Sequence, residues 1–471
     1  MAIESINPAT EQVLARFDEF SPEQVDEAVS QADAAFKHWR TTSFSERSGA
    51  MLRAASVLRR DKDRFARLIT LEMGKPIVEA EGEVEKCAWN CEFYAENAER
   101  FLADEHIPTT GLDSFVAYEP LGVVLAVMPW NFPFWQVIRF AAPALMAGNA
   151  AVLKHASNVP QCALAVEQVF EESGFPKGLF RTVLVAGARI QPLIADRRIR
   201  AVTLTGSDVV GTEVAATSGR NLKKTVMELG GSDPFIVLSD ADLSTAAETA
   251  ARARFQNTGQ SCIAAKRFIV EESIADEWER LFKKAVSGLK VGDGLERDTR
   301  IGPLARADLL SGLERQVKES VAAGATVALG GKRPNRQGYF FEPTILSGVS
   351  DERPAFREET FGPVAAVMRV KSAEHAVAVA NNSDYGLGAA LWTQDLEKGQ
   401  ALARQVESGA VFINGMVASD PRLPFGGVKR SGYGRELSQV GIREFVNIQT
   451  IWVGAPSSPA PAAAAAAAAS E

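Results

Sequence analysis

The stretch FQNTGQSCIAAK (255–266) sets one cysteine, Cys262, among small and polar residues. Thr258, Gly259, Gln260 and Ser261 precede it, and Ile263 and two alanines follow. An unpaired cysteine usually behaves as a small hydrophobe and keeps apolar company. A thiol left open among such residues can instead serve as a nucleophile, since a thiolate attacks carbonyl carbon well near neutral pH. The other cysteines, Cys87, Cys91 and Cys162, read as structural, with Cys87 and Cys91 four apart on one helix face. Four cysteines in 471 residues do not make a disulfide scaffold. His38, His106, His155 and His375 are scattered, and neither CxxC nor HExxH occurs, so no metal site is expected.

Two other stretches could hold a ligand. In TLTGSDVVG, Thr205-Gly206-Ser207 ends a strand pattern and a helix follows. Backbone N–H groups and a serine hydroxyl at a helix start suit a pyrophosphate, although the same residues also make an ordinary turn capped by Ser207. In VLKHASN, Lys154 closes a strand at the sheet edge where ligands bind, or else lies solvated at the surface. No G-x-G-x-x-G occurs, which argues only mildly against a nucleotide.

Positioning these residues takes a large α/β framework. Residues 22–101 read as helices, beginning with Ser21 as N-cap and Pro22 in the first turn. The period changes in SFVAYEPLGVVLAVMP, which reads as strands. AAVLK (150–154), RTVLVAG (181–187) and AVTLTGS (201–207) then alternate with helices, a rhythm that implies a parallel sheet covered on both faces. A second series opens after MELGGSDP (227–234). It runs through DPFIVL, a helix at 243–257, KRFIV, a helix at 273–289, ATVALGG, FEPTILSGV, AAVMRV and GAVFING. The tail GAPSSPAPAAAAAAAASE is low-complexity and expected to be disordered.

Hydrophobic content of 46% and charged content of 23% fit a globular protein of two or three domains. A net charge of −8 argues against nucleic acid or an anionic membrane as the main partner. MAIESINPATEQ does not read as a signal peptide. The apolar region 121–153 is interrupted by Pro129, Pro133, Arg139, Pro143 and Asn149 and does not read as a membrane span. A reducing cytoplasm is the expected location.

Over residues 1–453 the chain resembles the aldehyde dehydrogenase superfamily. The motifs MPWNFPFWQ (128–136), VLKHAS, TLTGS, MELGGSDPF (227–235), NTGQSC (257–262), EETFGPV (358–364) and PFGGVKRSGYGRE (424–436) occur in the family's order. Glu228 lies 34 positions before Cys262 and Glu359 lies 97 after it, as in the family. The resemblance implies Cys262 as nucleophile, Glu228 as general base and Asn131 as the oxyanion-hole amide, joined by the Cys262 backbone N–H. It places Trp130, Lys154, Ser157, Thr205, Gly206, Ser207, Leu229, Glu359 and Phe361 at a nicotinamide dinucleotide. Gly259 and Ser261 would then leave room for a carbonyl and a nicotinamide ring beside the sulfur.

The implied fold has two doubly wound parallel-sheet domains and a β-strand oligomerisation arm. Residues 1–101 and 121–228 would bind cofactor, and 229–435 would form the catalytic domain. Residues 102–120 and 436–453 would form the arm of a homodimer or dimer of dimers. NAD-preferring members often carry an acidic residue three positions after the lysine. Here that residue is Ser157, which can donate to a 2′-phosphate that a carboxylate would repel. NADP is therefore the expected cofactor, with NAD as a weaker second.

The likeness is greatest to short bacterial succinate-semialdehyde dehydrogenases. It implies that Arg139 and Ser419 hold the substrate's distal carboxylate, with Trp135 and Phe425 as apolar walls. Many such enzymes carry a second arginine six residues before the nucleophile, where this chain has Gln256. That leaves glutarate semialdehyde and uncharged aldehydes open as substrates. Some relatives have a cysteine two residues after the nucleophile, where Ala264 stands here, so an internal disulfide switch is excluded. The presence of Glu228 argues against a CoA-acylating enzyme, and the full catalytic set argues against a non-catalytic binding protein.

Overall fold

The computed structural model describes residues 2–350 and 352–455, so the low-complexity tail lies outside the described residues beyond 455. Pro22–Trp39 opens with a capping box. The Ser21 hydroxyl accepts from the Gln24 N–H, and the Gln24 side chain accepts from the Ser21 N–H. Helices Phe44–Arg60, Lys62–Met73 and Ile77–Phe101 follow. Among the described residues no helix is long and apolar enough to cross a membrane.

A six-stranded sheet runs in the order Gly432–Tyr433, Lys224–Glu228, Ile199–Thr205, Val123–Met128, Ala150–His155, Phe180–Thr182. Its pairings are parallel except the first. Every residue of Val123–Met128 and Ala150–His155 is buried, as expected of parallel strands with both faces covered. The strand read at 181–187 is only Phe180–Thr182. It is an edge strand and leaves the ladder once the Val183 N–H reaches the Leu153 carbonyl.

The chain crosses to a second sheet through residues 229–232. Its order is Thr326–Leu329, Thr344–Ser347, Val364–Val370, Ala265–Glu271, Asp233–Val237, Gly388–Trp392, Ala410–Ile413, parallel except for the first pair. Its core is aromatic, with Trp278 stacked on Phe282 and Phe235 on Trp392. Gly388–Trp392 and an N-terminal hairpin, Ala2–Ile6 with Val13–Asp18, are elements without a strong sequence signal. The pair Gly432–Tyr433 hydrogen-bonds into the first sheet, although its sequence position suggested the catalytic domain.

Val446–Val453 pairs antiparallel with Asp113–Pro120, which also pairs with Glu105–His106. This three-stranded sheet exposes Ile448 and Trp452 on its edge strand.

The two main sheets present opposite ends to one region. Asn131 and Ser207 follow strands of the first sheet, and Glu228 ends one. Cys262 and Glu359 instead precede strands of the second. The chemistry-bearing residues therefore meet where the C-terminal edge of one sheet faces the N-terminal edge of the other.

Candidate active site

Helix Leu243–Phe255 stops short of the expected 257 because the next turn cannot stay helical. Asn257 (φ 52°) and Thr258 (φ 57°) are left-handed, a conformation that costs a non-glycine residue about 1–2 kcal/mol. Cross-links hold the strained turn. The Asn257 N–H donates to Glu79 Oε2 at 2.6 Å, its Nδ2 donates to the Asn131 carbonyl at 2.8 Å, and Thr258 Oγ1 accepts from the Gly302 N–H at 2.9 Å. Gly259 serves this turn rather than the sulfur: a Cβ there would lie 2.4 Å from the Gly362 carbonyl. The expectation that Gly259 makes room for a substrate is corrected accordingly. Ser261 is buried with an unpartnered hydroxyl beside the thiol.

Buried Lys266 organises the segment after the turn. Its Nζ donates to the carbonyls of Ser261, Cys262 and Ala264 at 2.9–3.3 Å and sits 3.5 Å from Glu359 Oε1. Glu359 also accepts from the Gly231 N–H at 3.0 Å, and a Cβ at Gly231 would lie 2.5 Å from the Cys262 carbonyl. Arg254 donates to the carbonyls of Ala265, Thr360 and Gly362, tying the Glu359 loop to the nucleophile loop. Burial pushes the Cys262 thiol up to about 12 despite the opposing pull of Arg139 and Lys266, so the resting thiol keeps its proton.

Cys262 is half-buried and lines two cavities. One, of about 340 Å³, brings together Trp130, Asn131, Thr205, Gly206, Ser207, Leu229, Glu359 and Phe361. The Trp130 and Phe361 rings meet edge-on at 5.7 Å. The Asn131 amide donates to the Gln260 carbonyl at 3.1 Å, beside the sulfur's own loop. Lys154 and Ser157 line a further cavity of about 690 Å³, joined to the first through Arg306. Lys154 is only 8% exposed and has no carboxylate partner among the described residues, and desolvation lowers its amine. The other cavity, of about 410 Å³, collects Arg139, Trp135, Gln256, Ser261, Ser419 and Phe425.

Matching the pattern of the aldehyde dehydrogenase family, the chain fits that family's model over residues 1–451. The chain belongs to the aldehyde dehydrogenase family. A Synechocystis sp. protein named probable succinate-semialdehyde dehydrogenase [NADP(+)] is 53% identical, covering 96% of this chain and all of that one. A Mycobacterium tuberculosis protein named succinate-semialdehyde dehydrogenase [NADP(+)] 1 is 48% identical, with 96% and 100% covered. Among solved structures, succinic semialdehyde dehydrogenase from Streptococcus pyogenes in complex with NADP+ superposes with a TM-score of 0.94 at 38% identity, covering 96% of this chain and all of that one.

Within this aldehyde dehydrogenase several expectations change. The Ser207 hydroxyl caps helix Asp208–Arg220 by accepting from the Val210 N–H. The N–H groups of Gly206, Val209 and Gly211 are also taken, by Glu228 O, Asp208 Oδ1 and Ser207 O. The turn therefore offers fewer free donors than its sequence suggested. Arg139 does not stand at a cavity mouth: it is 2% exposed, ion-paired to buried Glu436, and stacked 4.7 Å from the Phe425 ring. Its Nη2 donates to Thr205 Oγ1 at 3.4 Å, which links the two cavities.

Glu228 lines neither cavity wall. It ends its strand fully enclosed, with both carboxylate oxygens unpartnered. Burial first, then the Glu436 charge, pushes its carboxyl well above the usual range, and Arg139 opposes this.

Several residues of the site carry little sequence signal. Gln136 lines both cavities beside Cys262. Glu79, Glu83 and Lys86 line the substrate-side cavity from one face of helix Ile77–Phe101, where a spacing of three to four resembles any amphipathic helix. His155 accepts from the Ala156 N–H at Nδ1 and reaches the Pro133 carbonyl from Nε2 at 2.9 Å, bracing the loop that carries Trp130 and Asn131.

Proposed function

We propose that this aldehyde dehydrogenase oxidises succinate semialdehyde to succinate with NADP, without acylating CoA. The observation that carries the reading is the pair of cavities meeting at the Cys262 sulfur. One is lined by Trp130, Leu229 and Phe361 and edged by Glu359 and Arg306. The other is lined with cations and Ser419. The names of the Synechocystis and Mycobacterium relatives support it.

A nicotinamide dinucleotide fits the residues present. Lys154 is a buried amine with no carboxylate partner among the described residues, the hydroxyl of Ser157 stands three residues on, and the cavity edged by Trp130, Glu359 and Phe361 adjoins the sulfur. Lys154 and Ser157 would hold the 2′-phosphate, Ser207 and Thr205 would approach the pyrophosphate, and Glu359 would take the nicotinamide ribose. When bound, that group supplies the hydride acceptor.

The remaining chemistry belongs to the chain. Cys262 gives its proton to solvent in the cavity, and the thiolate adds to the aldehyde carbon while the carbonyl π pair moves to oxygen, giving a thiohemiacetal oxyanion. The Asn131 amide and the Cys262 N–H receive the oxyanion, each such donor contributing about 3 kcal/mol. After oxidation to the thioester, Glu228 turns toward the cavity, passes its own proton to solvent, and as a carboxylate takes a proton from the water that attacks the thioester carbon; the C–S bond breaks, the Cys262 thiolate leaves and the acid product is released. Arg139 holds Glu436 and steers the wall that faces the substrate.

Assembly as a homodimer or dimer of dimers through the open edge of Val446–Val453, in a cytoplasmic setting, completes the proposal. A panel of succinate semialdehyde, glutarate semialdehyde and butanal, assayed with NADP and with NAD, tests it. The expected result is the highest kcat/KM for succinate semialdehyde with NADP. A preference for NAD, or for butanal, would overturn it.

A further inference from the structure

Four cationic side chains line the substrate-side cavity: Lys75, Lys86, Arg139 and Arg252. Their charges are not equally available. Lys75 is buried and ion-paired to Glu83. The other oxygen of Glu83 accepts from the N–H groups of Phe134 and Trp135 at 2.9 and 3.0 Å. Arg139 is paired to Glu436. Arg252 is exposed at the rim.

Lys86 differs from all three. It is half-buried on the cavity face of helix Ile77–Phe101. Its Nζ donates to Ser419 Oγ at 2.7 Å and lies 4.2 Å from the centre of the Trp135 ring. No described carboxylate pairs with it. Withdrawing an ammonium from water without an anion is costly, and a cavity keeps such a group where a ligand supplies the counter-charge. The hydroxyl bonded to it can turn to donate to the same ligand, since Ser419 has both donor and acceptor capacity.

We propose that Lys86, together with Ser419, binds the distal carboxylate of the substrate and supplies the charge that Gln256 does not. This rests on the reading of the substrate as an aldehyde carrying a carboxylate. Arg139 then shapes the wall through Glu436 and Phe425. Trp135, stacked on Lys86, holds the ammonium toward the cavity. Uncharged aldehydes meet the same wall without the electrostatic gain.

The groups around Lys86 make the charge sensitive to pH. Desolvation and the nearby Arg139 lower its amine to about 8, against the opposing pull of Cys87, Glu83 and Asp420. Glu79, across the same cavity, is raised to about 7 by burial. The cation is therefore present at neutral pH and lost above about 8, where capture of a carboxylate weakens.

The test compares wild type with Lys86→Met and Lys86→Arg, using succinate semialdehyde and butanal at saturating NADP across about pH 6.5–9.5, with thermal unfolding to confirm folding. Lys86→Met is expected to lower the kcat/KM ratio of succinate semialdehyde to butanal by about 30-fold, mostly through KM, as for loss of one charged hydrogen bond. Lys86→Arg is expected to restore most of the ratio and to remove the rise in KM that wild type shows above about pH 8, since a guanidinium does not titrate there. A methionine variant with an unchanged ratio, or an arginine variant with the wild-type rise in KM, overturns the assignment of Lys86. A wild type with no preference for the charged aldehyde overturns the functional reading, and this assignment with it.

Discussion

On one side of the Cys262 sulfur, much of the cavity wall comes from short loops: residues 129–131, 205–207, 229–230, and Glu359 with Phe361. On the other side, the wall comes from one face of helix Ile77–Phe101, the start of helix Trp135–Met146, the end of helix Leu243–Phe255, and the loop 416–425. The first wall, proposed to meet the cofactor, is set by turns of fixed conformation that carry Trp130, Ser207, Glu359 and Phe361. The second, proposed to meet the substrate, presents side-chain charge whose effect depends on what neutralises it. Glu83 cancels Lys75 and Glu436 cancels Arg139, so the same count of positive residues gives a different field from the one their sequence suggests.

Changes at the shared sulfur should abolish the distinction altogether. Cys262→Ala is expected to lower NADPH formation at least about 10³-fold for every aldehyde while cofactor binding, read by fluorescence, persists. Asn131→Ala should cost about 10²–10³-fold in kcat with a smaller change in KM, because its amide acts on charge that develops during reaction.

Changes confined to one cavity should separate the two. Ser157→Glu is expected to reduce kcat/KM for NADP about 100-fold, a like-charge effect, while KM for succinate semialdehyde stays near wild type. Gln256→Arg addresses the opposite wall: it should lower KM for succinate semialdehyde several-fold and leave the NADP/NAD ratio unchanged. Movement of both parameters by either variant would show that the cavities are not independent.

The smallest effect is on stability and is confined to the scaffold beneath the cofactor side. Burial lowers the His155 imidazole to about 4 from its ordinary 6.5. Between those values the unfolded chain binds a proton that the folded chain does not, so this contribution is complete above about pH 6.5 and is lost progressively toward pH 4. His155→Phe should therefore flatten the fall in Tm on acidification, measured by calorimetry. An unchanged slope would remove His155 as its source.

Much of the framework was legible in the chain. The capping signals at Ser21 and the strands within VVLAVM and AAVLK follow local rules of period and propensity, and they appear in the fold, the second extended by one residue to His155. Edge elements were not, because Phe180–Thr182 and Gly432–Tyr433 exist only through what they pair with. Residues within contiguous motifs could be singled out in advance: Trp130, Glu359 and Phe361, which the resemblance assigned to a cofactor, line one cavity with Cys262. Gln136 and Lys86 sit in helices whose sequence gives no sign of what they face.

The sequence by itself determined which residue types stand at the motif positions of this dehydrogenase: one thiol among small residues, one amide, two carboxyls, and a serine three positions after Lys154. Only the tertiary structure decided their states. Arg139 is neutralised because Glu436, 297 positions away, folds against it. The Glu228 carboxyl is pushed up because it is enclosed beside that pair, and Lys86 meets Ser419 rather than a described carboxylate because helix Ile77–Phe101 turns it that way. Charge and burial are properties of a residue's surroundings in space, and neighbours hundreds of positions apart set them.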